Sequence, residues 1–156
     1  MSETDSGWHR YQGIHTRLDD RDISKRDRVR LAKDAGADVL ISVHCNASDA
    51  YDTTAKGVET LYSGRKKTTA GNLSSRQLAK DILDEVCETT GRQRRKVIRR
   101  DQLYLMHHAD VPVTIVEVGY MTNRSDMRYL KKQKNQREIA QGIYNGLCKS
   151  LQRIEK

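Results

Sequence analysis

Two residues of this chain stand where chemistry could be done. His44 closes the apolar run Val39-Leu40-Ile41-Ser42-Val43, and a small polar turn, Cys45-Asn46-Ala47-Ser48, follows it. Glu117 lies inside a second apolar run, Val113-Thr114-Ile115-Val116-Glu117-Val118, close to its end. A strand-end histidine either bonds to nearby backbone or serves as a metal ligand or general base. A carboxylate is rarely buried in an apolar run unless it is paired, hydrogen-bonded or near a metal. One of the many arginines could pair with Glu117. Beside a metal-bound water, a glutamate could instead take a proton and pass it to a leaving amine. Together the two residues suggest metal-assisted hydrolysis.

They are far apart in sequence, so only the fold can bring them together. Val39–His44 has the length and continuity of a parallel strand covered on both faces. Residues 113–118 form the most β-branched strand of the chain, and Gly57–Tyr62 alternates as a strand does. Tyr11–Arg17 and Leu103–Met106 read as short strands, and residues 64–72 and 91–100 as loops, the second of them a charge run. Ser24 is a good N-cap for a helix over 25–35, with Val29 and Ala32 inward and Gly36 as its stop. A second helix spans 74–90, with Leu78, Ile82, Leu83 and Val86 on its apolar face and Gly91 at its end. The last runs over 135–154, with Ile139, Ile143, Leu147 and Leu151 at four-residue spacing. Strands alternating with helices predict one α/β domain over residues 1–156, with a mainly parallel sheet flanked by helices. In such sheets chemistry collects beyond the carboxyl ends of the strands, where His44 and Glu117 sit.

Composition narrows the function classes. Hydrophobic residues are 36% and charged residues 32% of the 156, polar for a globular protein but interrupted by clear apolar runs. No stretch approaches a membrane span. Residues 1–7 have neither a basic start nor an apolar core, so no signal peptide is expected in this chain. The net charge of +8 suits an acidic partner: nucleic acid, anionic lipid or an anionic cell-wall polymer. Cys45, Cys87 and Cys148 are widely spaced and form no CxxC pair, which excludes a zinc ribbon. Cys87 and Cys148 fall at apolar helix positions. Alternation points Cys45 to the face opposite His44.

The segment Ile41-Ser42-Val43-His44-Cys45-Asn46-Ala47 resembles the "SIHANA" segment of zinc-dependent N-acetylmuramoyl-L-alanine amidases, cell-wall hydrolases of the amidase-3 type. Glu117-Val118-Gly119-Tyr120-Met121-Thr122-Asn123 is similar to their "EVGFLSN". Landmarks between them agree: Thr16-Arg17, Ser24 and Arg28, Ala37-Asp38, Gly57-Val58-Glu59, Ser75 with Leu78-Ala79, and Pro112. The resemblance implies hydrolysis of the amide between N-acetylmuramic acid and the first L-alanine of peptidoglycan. It makes His44 a ligand of one zinc ion, Glu117 the catalytic glutamate, and Asn46 a residue that shapes the turn and stands as a candidate substrate contact. It also implies peptidoglycan as partner, and the cell envelope or the exterior as the place of action. The oligomeric state is left open.

The chain also departs from that pattern. An earlier strand ending in a "GHGG"-type segment, and a following helix with a glutamate ligand, cannot be placed. The domain therefore reads as N-terminally incomplete relative to the family. Such a domain is expected to leave a sheet edge open, to fold poorly, and to bind zinc weakly unless His9, His15, His107 or His108 substitutes, Glu3 lying too near the terminus to stand in. Two alternatives follow. One is a peptidoglycan-binding module without catalysis. The other is a nucleic-acid binder using Arg92, Arg94, Arg95, Lys96, Arg99 and Arg100 with Lys131, Lys132 and Lys134. That run carries no interleaved aromatics, so nucleic acid is not expected as a partner.

Overall fold

The computed structural model describes residues 11–49 and 52–154. Helix α1 (Lys25–Asp34) begins where the Ser24 side chain accepts the Asp27 amide hydrogen. It ends before Gly36, whose φ of +60° only glycine adopts without strain. Strand β1 (Leu40–Asn46) follows, then β2 (Val58–Tyr62). Two short strands, β3 (Thr69–Ala70) and β4 (Leu73–Ser74), pair in a small ladder of their own. Helix α2 (Ser75–Thr90) is capped by Ser74, which accepts from the Gln77 amide, and is closed by Gly91 in the left-handed region. The remaining elements are β5 (Arg94–Arg99), α3 (Tyr104–His108), β6 (Val113–Tyr120), α4 (Arg124–Leu130) and α5 (Gln133–Leu151).

The main sheet has the order β1-β6-β2-β5. The β1–β6 and β2–β5 pairings are parallel, as the mainly parallel reading expects, and β2 runs antiparallel to β6. On one face, Val58, Val116 and Val118 pack against Leu78, Ile82, Leu83 and Val86 of α2, with Ile139 of α5 joining them. On the other, Leu105, Met106 and Ala109 pack with Val113 and Ile115, and Val29 of α1 and Leu40 lie against them. This second layer is thin: α1 has no buried residue.

The structure corrects several expected elements. Tyr11–Arg17 forms no strand. Leu103–Met106 belongs to the start of α3 instead, because a four-residue apolar run fits one helical turn as well as a strand. The charge run contains β5, an edge strand whose Arg94, Lys96 and Arg99 face solvent, as edges that resist further pairing do. α4, with Asn123 accepting the Ser125 and Asp126 amides, was not expected. β1 is not covered on both faces: it has one strand neighbour among the described residues, and Val43 is 54% exposed. Among the described residues no helix is long and apolar enough to cross a membrane.

Two contacts fix the frame. Asp126 is buried, accepts from the Gly57 and Tyr120 amides at 2.9 and 2.8 Å, and pairs with Arg92 at 2.5 Å. One carboxylate thus ties the entry to β2, the end of β6 and the segment before β5. The second contact is between α2 and α5. A Cβ on Gly142 would lie 2.6 Å from the Val86 Cα, and one on Gly146 2.5 Å from the Ile82 Cα. These neighbours are backbone atoms, so the helices would have to separate. Gly142→Ala is expected to destabilise the domain by about 1–3 kcal/mol, lowering the melting temperature by roughly 2–4 °C per kcal/mol. A thermal melt checks this, and an unchanged midpoint would contradict the close approach.

Candidate active site

Strand register assembles the site. His44 of β1 lies opposite Glu117 of β6, and Glu117 lies opposite Glu59 of β2. Arg95 of β5 reaches Glu59 Oε2 with its Nε at 3.0 Å. His44, Glu117, Glu59 and Arg95 therefore form one row across the sheet, in strand order. His44 and Glu117 come from near the carboxyl ends of their strands. Glu59 and Arg95 come from the beginnings of theirs, because β2 and β5 run the other way. Leu40, Val113 and Ile115 lie on the same face, nearer the amino ends of β1 and β6, in contact with the α1–α3 layer. That layer does not enclose the row: His44 is exposed and Glu117 half-buried.

The two carboxylates differ in what holds them. Glu59 is 6% exposed, and both its oxygens are engaged: Oε1 accepts from Asn46 Nδ2 at 2.8 Å and Oε2 from Arg95. Glu117 has no ion pair among the described residues, and its Oε2 is buried with no hydrogen-bond partner. Burial, and secondarily the Glu59 charge, push the Glu117 carboxyl up to about 7. The arginine that could have paired with it is bound to Glu59 instead. Glu117 is thus a group that holds and releases a proton near neutrality.

His44 Nε2 lies 2.9 Å from Ser42 Oγ, two residues back on the same face. Partial burial, then the charges of Arg28 and Arg17, lower its pKa and favour the neutral ring. Asn46 shapes the turn, as expected. Its Oδ1 accepts from the Ala47 amide, its Nδ2 binds Glu59, and its backbone oxygen accepts from Met121 N. Both side-chain functions are engaged within the protein. Cys45 is exposed, and burial of its sulfur with the Glu117 charge raises its thiol, which works against thiolate formation.

The other candidate ligands do not join the row. His107 and His108 sit on α3, where His108 stacks on Tyr104 and lines a groove with Leu40. Leu40 is four residues before His44, about 13 Å along an extended strand. His15 is exposed on a segment without regular structure. Glu3 and His9 lie outside the described residues. A catalytic zinc is held by three protein ligands. Among the described residues no three histidine, cysteine, aspartate or glutamate side chains are grouped to hold a metal. His44 and Glu117 alone do not fit the ion.

Sequence reasoning missed Ser42, Glu59 and Arg95 as parts of the site. Glu59 carried a signal, a carboxylate inside an alternating strand, but its partner depended on register. Arg95 was hidden in the charge run. That run is largely neutralised: Arg92, Arg94, Arg95 and Arg99 pair with Asp126, Asp84, Glu59 and Asp101.

Comparison with known proteins identifies the family. The family model described as N-acetylmuramoyl-L-alanine amidase (Amidase_3) matches residues 6–149. The germination-specific N-acetylmuramoyl-L-alanine amidase of Bacillus subtilis (strain 168) is 31% identical over 124 residues, covering 80% of this chain and 49% of that protein. The N-acetylmuramoyl-L-alanine amidase LytC of the same organism is 31% identical over 133 residues, covering 85% of this chain and 25% of LytC. The chain thus spans about half or less of the length of these two relatives. Among solved structures, an N-acetylmuramoyl-L-alanine amidase from Clostridium difficile 630 superposes with a TM-score of 0.78 at 29% identity, over 88% of this chain and 70% of that one. The catalytic domain of CwlV, from Bacillus (Paenibacillus) polymyxa var. colistinus, gives 0.77 at 27% identity, over 89% and 72%.

The raised Glu117 carboxyl has a consequence for stability. Its folded pKa of about 7 lies above the ordinary 4.5, so between these values the folded state binds more protons than the unfolded one. Stability from this group is fully present below 4.5 and is lost as pH rises through 7. Glu117→Gln lacks the titration. Denaturant titrations of both proteins should show the variant gaining on the wild type from pH 4.5 to 7, with a constant difference outside that window. Parallel curves throughout would contradict the shift.

Proposed function

This chain belongs to the N-acetylmuramoyl-L-alanine amidase family, and on that premise we propose that it hydrolyses the amide between the lactyl group of N-acetylmuramic acid and the first L-alanine of peptidoglycan. The observation that carries the reading is Glu117: a half-buried carboxyl with an unpartnered oxygen, beside His44, on an open sheet face. In its ionised form Glu117 takes a proton from water as the water oxygen bonds to the amide carbonyl carbon. It then delivers that proton to the alanine nitrogen as the carbon–nitrogen bond breaks, and the second proton of the water passes from the new lactyl carboxyl to the amine, leaving a carboxylate and an ammonium group. Arg95 and Asn46 hold Glu59, whose charge adds to the burial that raises the Glu117 carboxyl. Zinc belongs to this reading with His44 as one ligand, and needs further donors beyond those grouped among the described residues. The same reading makes peptidoglycan the partner and the cell envelope the site of action.

The test is release of new amino-terminal alanine from purified peptidoglycan, with zinc supplied. Wild-type protein should release it, and Glu117→Gln should fall by about 10²–10⁴-fold. No release by folded wild-type protein that still sediments with peptidoglycan would favour a wall-binding module instead.

A further inference from the structure

The two basic runs of the sequence meet different fates. The β5 run is paired with acids. The run around the junction of α4 and α5 is not. Residues 124–137 hold six cations, Arg124, Arg128, Lys131, Lys132, Lys134 and Arg137, all exposed, and one acid, Asp126. Asp126 is buried and taken by Arg92. Glu138, the next acid along, accepts from the Tyr129 hydroxyl and lies 3.9 Å from Lys134. The other five cations form no ion pair among the described residues. Arg124, Arg128 and Lys131 follow one another at four- and three-residue spacing, along one side of α4, and Lys134 and Arg137 do so on α5. Like charges at these spacings repel. Lys132 and Lys134 also stand at the start of α5, where the helix dipole disfavours cations and the first turn holds no acid. The fold gains nothing from this arrangement, yet it holds the corner firmly. Asn135 Nδ2 donates to the Tyr129 carbonyl at 2.9 Å, and Gln136 Nε2 to the Leu130 carbonyl at 2.7 Å. Asn123, which caps α4, follows β6, so the corner stands at the end of the sheet that carries the active row.

We propose that the α4–α5 corner is a docking surface for an extended phosphodiester polymer of the cell wall, which holds the active end of the domain against the wall. At 1.5 Å per residue the six cations follow a path of about 20 Å. A single small anion reaches one or two of them, whereas a chain of anions reaches them all. Exposed lysines and arginines on long stems take successive phosphates without a fixed register. A lipid surface fits less well, because an interfacial helix needs an apolar face. The large exposed apolar residues are Ile14, Leu18, Val43 and Met121, none of them on α4 or α5. Single-stranded nucleic acid needs open aromatic rings for stacking. Tyr129, the aromatic of this corner, is covered by Arg92 at 4.4 Å. The choice of a wall polymer rests on the amidase reading, while the charged surface itself does not.

Calorimetry with poly(glycerol phosphate) tests it, on the full chain and at several salt concentrations. The parent protein should bind, with affinity that falls as salt rises. The triple variant Arg128→Gln, Lys131→Gln and Lys134→Gln should bind roughly tenfold more weakly or worse, with a shallower salt dependence. A second triple variant, Lys66→Gln, Arg76→Gln and Lys96→Gln, removes the same charge from exposed positions elsewhere and should lose about twofold or less. Circular dichroism confirms that both are folded. No binding by the parent, or equal losses in the two variants, would overturn the docking surface. Tighter binding to duplex DNA or to anionic phospholipid vesicles than to the polymer would overturn the wall polymer as its occupant. Alanine release from peptidoglycan stripped of such polymers should be the same in the first triple variant as in the parent. Polymer binding lost in that variant, with no alanine release by the parent, would overturn the amidase reading and leave the surface standing.

Discussion

One constraint organises the functional end of this protein: the antiparallel register of β2 on β6 sets Glu59 directly against Glu117. Two carboxylates at one level of a sheet face repel, and a buried unpaired anion is expensive. The fold resolves the conflict unequally. Arg95 and Asn46 converge on Glu59, and nothing converges on Glu117. Glu117 meets the constraint by holding a proton up to about pH 7. A group in that state is a poor structural anchor and a good proton carrier.

The remaining architecture keeps this row open and level. α2 and α5 carry the main core on the opposite face, and the glycines at their contact let them approach closely. Asp126 and Arg92 knot the strand ends behind the row. On the row's own face, α1 and α3 pack over its amino-terminal half. The proposed site therefore occupies the part of the sheet where packing stops. The side chains there break ordinary rules of burial, as functional sites do.

Much of this was legible in the sequence because local signals were strong. Ser24 and Gly91 mark helix ends by their own chemistry, and the structure uses both of them so. His44 and Glu117 stood out because polar groups interrupt apolar runs. What failed was what depends on partners. β5 reads as a charge run because its arginines serve acids on β2, α2 and the following turn, which sequence cannot see. α3 is a four-residue apolar stretch with a histidine tail, too short for periodicity to decide. The direction of β2 leaves no trace in its residues, yet it brings Glu59 to the site. The apolar run of β1 looks the same whether one strand or two flank it, so the open sheet edge was expected from the incomplete family pattern and not from those residues.

The most direct measurement is the titration of the Glu117 side-chain carboxyl by carbon NMR, in wild-type protein and in Glu59→Gln. A midpoint near 7 in the wild type, displaced downward in the variant, is the predicted result. A midpoint in the ordinary carboxylate range, unmoved by the substitution, would contradict the claim that burial together with the neighbouring Glu59 makes Glu117 the proton carrier of this site.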